Sequence, residues 1–171
     1  MVTRSASEVA FSVEELDPKR HDRAGFNCGV EPLNRYLQTL AVQHRTKGIA
    51  TTFVLLDSDH PTRLLGYYSL SAATLEFQRL TDADRTGLPN YPIPAVRIGR
   101  LAACAAHRGQ RLGELLLANA IKRTLLARHT LGVYAVVVEA KDNSAEAFYR
   151  KYGFRLCDLQ TRQLYLPLGR G

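Results

Sequence analysis

The chain has 171 residues, a formal net charge of +7 and a hydrophobic content of 46%. That length and content fit one domain with a buried core, so we predict a single domain over residues 1–171. No apolar run approaches the roughly 20 residues that a membrane helix needs, and the first residues lack the apolar block of a secretory signal. The composition therefore argues against a membrane-spanning protein and predicts a cytoplasmic one.

Arginine supplies most of the positive charge. Its planar guanidinium group binds phosphate through two parallel hydrogen bonds. We therefore expect an anionic partner. The charge alone leaves open whether that partner is a nucleic acid or a phosphorylated cofactor.

The three cysteines, Cys28, Cys104 and Cys157, are widely spaced and form no CxxC pair. Metal sites built on cysteine need closely spaced ligands, often with histidine nearby. We therefore predict reduced, structural thiols and no metal cofactor.

The first half of the chain contains strands, one helix and a loop. Residues 8–16 and 51–57 have the β-branched and apolar character of strands, as does the longer segment 63–77. Residues 31–44 have apolar positions at helical spacing. Prolines and a glycine interrupt residues 81–94, which we predict to be a loop. The two strands from residue 51 onward are separated by a short polar turn and should pair antiparallel.

The second half alternates strands and helices. A strand is predicted over residues 95–104, a long helix over 113–129 and a nearly all-apolar strand over 132–140. The segment 143–154 should be a helix that starts at Asn143, with Glu146 completing a capping box, and stops at Gly153. Short strands are expected around residues 155–159 and 162–168. The predicted fold class is α/β, with a mixed central sheet flanked by helices.

The turn RGQRLG, residues 108–113, lies between a predicted strand and the long helix. Unpaired backbone N–H groups at a helix N-terminus favour anions, and Gly109 and Gly113 leave room for a close approach. Arg108 and Arg111 add positive charge, so a pyrophosphate group fits this turn. A P-loop and a dinucleotide GxGxxG are both absent. Local features alone leave open a plain basic helix cap.

Two segments carry a family resemblance. RGQRLG resembles the Arg/Gln-x-x-Gly-x-Gly/Ala motif of the GNAT acyl-CoA N-acetyltransferases, and NSAEAFYRKYGF, residues 143–154, resembles their Asn-x-x-Ala-x-x-(Phe/Leu)-Tyr helix. The resemblance implies the GNAT fold and acetyl-CoA as cosubstrate. Arg111 replaces the usual glycine of the motif. If only the backbone N–H at this position is needed, arginine can replace glycine, provided that its φ is negative. If the glycine is needed to leave space for the ligand, Arg111 would weaken pyrophosphate binding.

Residues 26–37, 64–70 and 98–102 are similar to the TacT and AtaT type within that superfamily. Members of this group are toxins that acetylate the amino group of aminoacyl-tRNA and block translation. The resemblance therefore implies an N-acetyltransferase that acts on aminoacyl-tRNA. It also implies a homodimer and a small antitoxin partner of ribbon-helix-helix type.

The resemblance also implies the site residues. Tyr149 would protonate the departing thiolate, although it also fits a plain apolar helical stripe. A backbone N–H at Leu101 or Ala102 would face the thioester oxygen. The residues implied to bind the cofactor are Leu101, Ala102, Ala103, Arg108, Gly109, Gln110, Arg111, Leu112, Gly113, Asn143 and Phe148.

No side chain stands out as a general base, and Glu139 is the one carboxylate we nominate. An α-amino group has a pKa of about 7.7–8.0, so part of it is already neutral at physiological pH. This favours aminoacyl-tRNA over a lysine side chain. Alternation along a strand places Arg97 and Arg100 on opposite faces. The candidate tRNA-binding residues are Arg35, Arg45, Lys47, Arg97 and Arg100.

Two alternatives remain at this level. The acceptor could be a small amine or a protein N-terminus, because the acetyl transfer itself is the same. The chain could also be a catalytically weak GNAT domain that acts as a binding module, since Arg111 departs from the cofactor motif.

Overall fold

The computed structural model describes residues 10–107 and 109–169. Arg108, one of the predicted pyrophosphate-binding residues, lies outside the described residues. The described residues contain seven strands: β1 (Phe11–Glu15), β2 (Thr51–Asp57), β3 (His60–Leu75), β4 (Ile93–Ala103), β5 (Ala135–Glu139), β6 (Arg155–Asp158) and β7 (Gln163–Pro167).

The helices of the described residues are α1 (Glu31–Arg35), α2 (Ala41–Thr46), α3 (Asp82–Arg85), α4 (Leu112–Ala127) and α5 (Asn143–Lys151). A π-helical turn, Tyr36–Leu40, joins α1 to α2, so the helix predicted over 31–44 is present but contains one wider turn. Short 3-10 turns lie at Phe77–Arg79 and Ala105–His107. None of the described helices is both long enough and apolar enough to cross a bilayer.

The strands form one mixed sheet in the order β1-β2-β3-β4-β5-β7-β6, which confirms the predicted fold class. The pair β4–β5 is parallel, with Ala95 opposite Ala135, and the pairs β1–β2, β5–β7 and β6–β7 are antiparallel. A parallel neighbour requires a crossover connection, and α4 supplies it. The first four residues of β5 are buried, as predicted for a strand covered on both faces.

The start of α5 differs from its prediction by one residue. Asp142, not Asn143, is the N-cap, and its carboxylate accepts a hydrogen bond from the Ala145 N–H at 2.8 Å. The Asn143 side chain instead accepts from Arg162. The predicted capping box at Asn143 is therefore wrong, because the adjacent aspartate satisfies the free N–H groups of the first turn.

The chain divides into two compact units. The first contains residues 10–69 and 100–119. Its core surrounds Tyr36, Tyr67 and Ala102, with aliphatic side chains from β2 and the helix α1 region. The next residue of β3, Tyr68, turns the other way and donates its hydroxyl hydrogen to the Asn119 side chain of α4. The two faces of β3 thus anchor two different helical segments.

The second unit contains residues 70–99 and 120–169. Its core is built from Leu75, Ile93, Val137 and Tyr165, with neighbours from the loop after β3. The Tyr165 hydroxyl accepts from the Thr81 N–H at 2.9 Å and donates to the carboxylate of Asp84, which ties α3 to β7. The single-domain prediction over residues 1–171 stays a prediction.

Candidate active site

The predicted anion-binding turn leads directly into helix α4. Gly109 has φ of +90°, and a Cβ built on it would meet no atom within 4 Å. Leu112 is buried and anchors the first turn, whereas Gln110 and Arg111 are exposed. The Leu115 N–H donates to the Arg111 carbonyl at 3.2 Å, which is the start of the helical ladder. The first N–H groups of a helix have no carbonyl one turn earlier, so the N-terminus of α4 favours an anion.

Arg111 is in a left-handed conformation, with φ of +55°. Arginine could replace the family's glycine without cost only at a negative φ, and this condition is not met. The left-handed region costs an L-residue about 1 kcal/mol or more, because Cβ approaches the carbonyl oxygen. The Arg111 side chain is 79% exposed, and its Nε lies 3.9 Å from the Glu114 carboxylate. The glycine of the motif is thus explained by backbone geometry.

Sequence reasoning missed His107, which precedes the turn. It ends the 3-10 turn Ala105–His107, and its Nδ1 is buried without a hydrogen-bond partner among the residues that the structure describes. Buried polar atoms without partners are rare in folded proteins. An unpaired ring nitrogen beside the predicted pyrophosphate turn fits a site that a polar ligand completes.

The end of β4 carries the residues predicted to bind pantetheine. Ala102 is buried in the core of the first unit, and Leu101 and Ala103 are partly buried. The Cys104 N–H, just past the strand, donates to the Leu65 carbonyl of β3 at 2.7 Å. The backbone of this strand end is therefore held in a fixed position, as a binding edge requires.

Tyr149 lies on α5 and is 8% exposed. Its ring packs at 5.3 Å from the rings of Phe148 and Phe154. Among residues 10–107 and 109–169, no group forms a hydrogen bond with its hydroxyl. Burial raises the pKa of Tyr149 to about 12. The catalytic role of Tyr149 and its membership of an apolar stripe therefore both stay predictions.

The predicted RNA-binding cations differ in their partners. Arg35 and Lys47 are exposed, on α1 and just after α2. Arg45 donates through Nε to the Glu15 carboxylate at 2.5 Å. Arg97 and Arg100, both on β4, also contact other side chains of this chain.

On β4, Arg97 and Arg100 contact different groups. Arg97 lies 3.6 Å from the carboxylate of Glu139, the nominated general base, on neighbouring β5. The Arg100 guanidinium carbon lies 3.5 Å above the centre of the Tyr36 ring. Tyr36 belongs to the core cluster of Ala102, so Arg100 and Ala102 share a face as the alternation predicts. An ion pair with Arg97 makes Glu139 a weaker candidate for a base.

The three cysteines form no disulfide in this structure. Burial raises the pKa of the Cys157 thiol to about 11, so it is protonated and unreactive at neutral pH.

Comparison with known protein families identifies the class of this chain. The family described as "Acetyltransferase (GNAT) domain" matches residues 51–156. This range includes the end of β4, the turn before α4 and Tyr149. The chain belongs to the GNAT acetyltransferase family.

Several relatives narrow the comparison within that family. The tRNA-acetylating toxin of Mycobacterium tuberculosis is 28% identical over 145 residues, which is 85% of each chain. A crystal structure of a mutant of KacT is 32% identical, with a TM-score of 0.86, over 92% of this chain and 95% of that one. AtaT complexed with acetyl-methionyl-tRNA is 28% identical, with the same TM-score and the same coverage. A second AtaT structure, 28% identical over 93% and 94% with a TM-score of 0.77, holds the C-terminus of the antitoxin AtaR and acetyl-CoA.

Proposed function

We propose that this chain is an acetyl-CoA-dependent N-acetyltransferase that acetylates the amino group of aminoacyl-tRNA and thereby blocks translation. The observation that carries this proposal is the glycine turn at the N-terminus of α4 in a GNAT-family chain. The substrate follows from similarity to a tRNA-acetylating toxin and to AtaT, which has been solved in complex with acetyl-methionyl-tRNA.

The residues of the turn fit the cosubstrate. The N-terminus of α4, the open side of Gly109 and the Nδ1 of His107, which has no partner among the described residues, are all features that suit an anionic ligand. We propose that the pyrophosphate is held by Arg108, Gly109, Gln110, Arg111, Leu112 and Gly113. Residues Leu101, Ala102 and Ala103 would hold the pantetheine arm. Asn143 and Phe148 are the other proposed cofactor-binding residues. When bound, acetyl-CoA supplies the acetyl thioester.

The chemistry assigned to Tyr149 follows from its burial. A phenol with a pKa of about 12 is a weaker acid than a thiol near 8.5, so complete proton transfer to the thiolate is uphill by ~5 kcal/mol. A hydrogen bond to the developing sulfur anion has no such cost. We therefore assign Tyr149 to stabilising the leaving thiolate by donation from its hydroxyl, with Leu101 or Ala102 N–H facing the thioester oxygen.

The acceptor amine needs little help from the protein. The ester of aminoacyl-tRNA withdraws electrons and lowers the pKa of the α-amino group from its usual value near 8. A useful fraction of this amine is therefore neutral at physiological pH. Because Glu139 is paired with Arg97, the proposal assigns no general base.

The RNA would be held by phosphate contacts. Arg35 and Lys47 are exposed and suited to this role, and Arg45 and Arg97 could contribute charge from the outer side of their ion pairs. We also propose a homodimer and an antitoxin of ribbon-helix-helix type on the basis of the family resemblance, and a cytoplasmic location on the basis of composition.

Labelled acetyl-CoA incubated with charged or deacylated total tRNA tests this function. We expect label on charged tRNA alone, and Tyr149→Phe should lose most of the transfer while it still binds acetyl-CoA. Tyr152→Phe is the matched control, since Tyr152 lies on the next turn beside Phe148 at 5.2 Å. Label on small amines but not on charged tRNA would contradict the proposed substrate.

A further inference from the structure

Tyr36 lies at the start of the π-helical turn and is 2% exposed. The Ala41 N–H donates to the Tyr36 carbonyl five residues earlier, which defines the wider turn. Such turns are rare in proteins as a whole, and those that occur are often found at functional sites. Tyr36 and Leu37, which begin this turn, are both buried in the core cluster that contains Tyr67.

The Tyr36 ring is fixed by its neighbours. A hydrogen bond of 3.1 Å joins its hydroxyl to His44 Nδ1, and its ring stacks on Tyr67 with an angle of 18°. Tyr67 in turn donates to the Leu33 carbonyl at 2.6 Å. The ring is therefore a rigid surface, and one face of it is covered by the Arg100 guanidinium.

Arg100 differs from the other arginines of the predicted RNA-binding set that have protein contacts. Arg45 and Arg97 are each paired with a carboxylate, whereas Arg100 is held by the Tyr36 ring and donates to no carboxylate or carbonyl among the described residues. Stacking uses the face of the guanidinium and leaves its N–H donors, which lie in the plane, unpaired. The group is partly exposed, so these donors can reach a ligand.

A purely structural role explains this arrangement less well. A neutral side chain of similar length would fill the space beside Tyr36 without partly removing a charge from water. A guanidinium held flat by a ring is instead preorganised for two parallel hydrogen bonds to one phosphate group. Because Arg100 shares a face of β4 with Ala102, those donors lie on the Ala102 side of the proposed thioester-binding strand end.

We propose that Arg100, held on Tyr36, binds a phosphate group at the acceptor end of charged tRNA and so positions the aminoacyl ester beside the end of β4. Tyr36 and His44 are positioning residues in this arrangement. The inference rests on the proposed function for the identity of the RNA. A phosphate of acetyl-CoA has the same chemistry, so the experiment separates the two sources.

The test measures binding of charged tRNA by fluorescence anisotropy at several salt concentrations, in a Tyr149→Phe background that prevents turnover. Arg100→Gln should weaken binding about tenfold and lower the slope of log affinity against log salt by about 1, as for one lost phosphate contact. Acetyl-CoA affinity, measured calorimetrically, should not change. Arg20→Gln is the matched control, because that side chain is exposed, is paired with Glu14 and lies outside the predicted RNA-binding set.

Two further variants keep the test valid if Arg100→Gln folds poorly. Arg100→Lys retains the charge and should retain the salt slope, but it should bind less tightly because an ammonium group has no planar fork. Tyr36→Phe keeps the ring and loses the hydrogen bond to His44. It should lower tRNA affinity less than Arg100→Gln does and leave acetyl-CoA affinity unchanged.

An unchanged salt slope in Arg100→Gln overturns the inference. A loss confined to acetyl-CoA affinity assigns the phosphate to the coenzyme and also overturns it. Because binding is measured without turnover, failure of wild-type acetylation contradicts the proposed function separately.

Discussion

Gly66 of β3 packs so closely against Ala102 of β4 that a Cβ at Gly66 would lie 2.8 Å from the Ala102 carbonyl oxygen and 2.9 Å from a methyl group of Leu116. The carbonyl is backbone and cannot move without displacing β4. The contact therefore links the packing of α4 to the position of the strand end proposed to bind pantetheine.

Gly66→Ala should destabilise the protein by about 1–3 kcal/mol, because the added methyl group forces a shift in a packed interior. It should also weaken acetyl-CoA binding, since the shift falls on Ala102. Thermal unfolding and calorimetric titration measure the two effects. Gly132→Ala is the control, because a Cβ there meets no atom within 4 Å and its φ is not positive. Equal stability of the two variants would contradict the packing argument.

Arg111 gives a second prediction, which separates charge from backbone strain. Arg111→Gly should raise the free energy of unfolding by about 0.5–1 kcal/mol, because glycine adopts φ of +55° without strain and this gain exceeds its extra entropy in the unfolded chain. Arg111→Ala should gain nothing, since alanine has the same Cβ. Both variants lose the charge and should bind acetyl-CoA less tightly. If neither variant changes acetyl-CoA affinity, Arg111 does not contact the phosphates.

The raised pKa of Tyr149 gives a prediction for alkaline pH. Burial moves this pKa from 10 to about 12, so the hydroxyl stays protonated and able to donate up to about pH 11. The rate of acetyl transfer should rise as the acceptor amine loses its proton and should then stay level to pH 10. A decline near pH 9 that is absent in Tyr149→Phe would show that the phenol ionises earlier than its burial implies.

The same shift has a consequence for stability. The pKa of Tyr149 is about 12 in the folded state and 10 in the unfolded state. Its protonated hydroxyl therefore contributes fully to the unfolding free energy below pH 10, and this contribution is lost as the pH rises towards 12. The difference in unfolding free energy between wild type and Tyr149→Phe should be constant up to about pH 9 and then shift in favour of the variant. Chemical denaturation of wild type and Tyr149→Phe at several pH values measures this trend.

The sequence predicts the elements that surround the proposed site, because periodicity and glycine positions are local signals. It does not predict the π-helical turn, since one inserted residue leaves the apolar spacing around Tyr36 compatible with an ordinary helix. Nor does it predict the conformation of Arg111, because arginine carries no left-handed signal. The stacking of Arg100 on Tyr36 joins residues far apart in the chain, which no local pattern reports.

The start of α5 shows the same limit at the scale of one residue. Asp142 and Asn143 are both good N-caps, so the pattern cannot choose between them, and the structure places the cap on Asp142. Asp142→Ala should therefore lower the free energy of unfolding by about 1 kcal/mol through loss of the bond to the Ala145 N–H. Asn143→Ala should cost less, because it removes only an exposed contact with Arg162. Chemical denaturation of both variants checks the order, and a larger loss for Asn143→Ala would return the cap to that residue. Since α5 carries Tyr149, Asp142→Ala should also lower the rate of acetyl transfer at temperatures where the helix end frays.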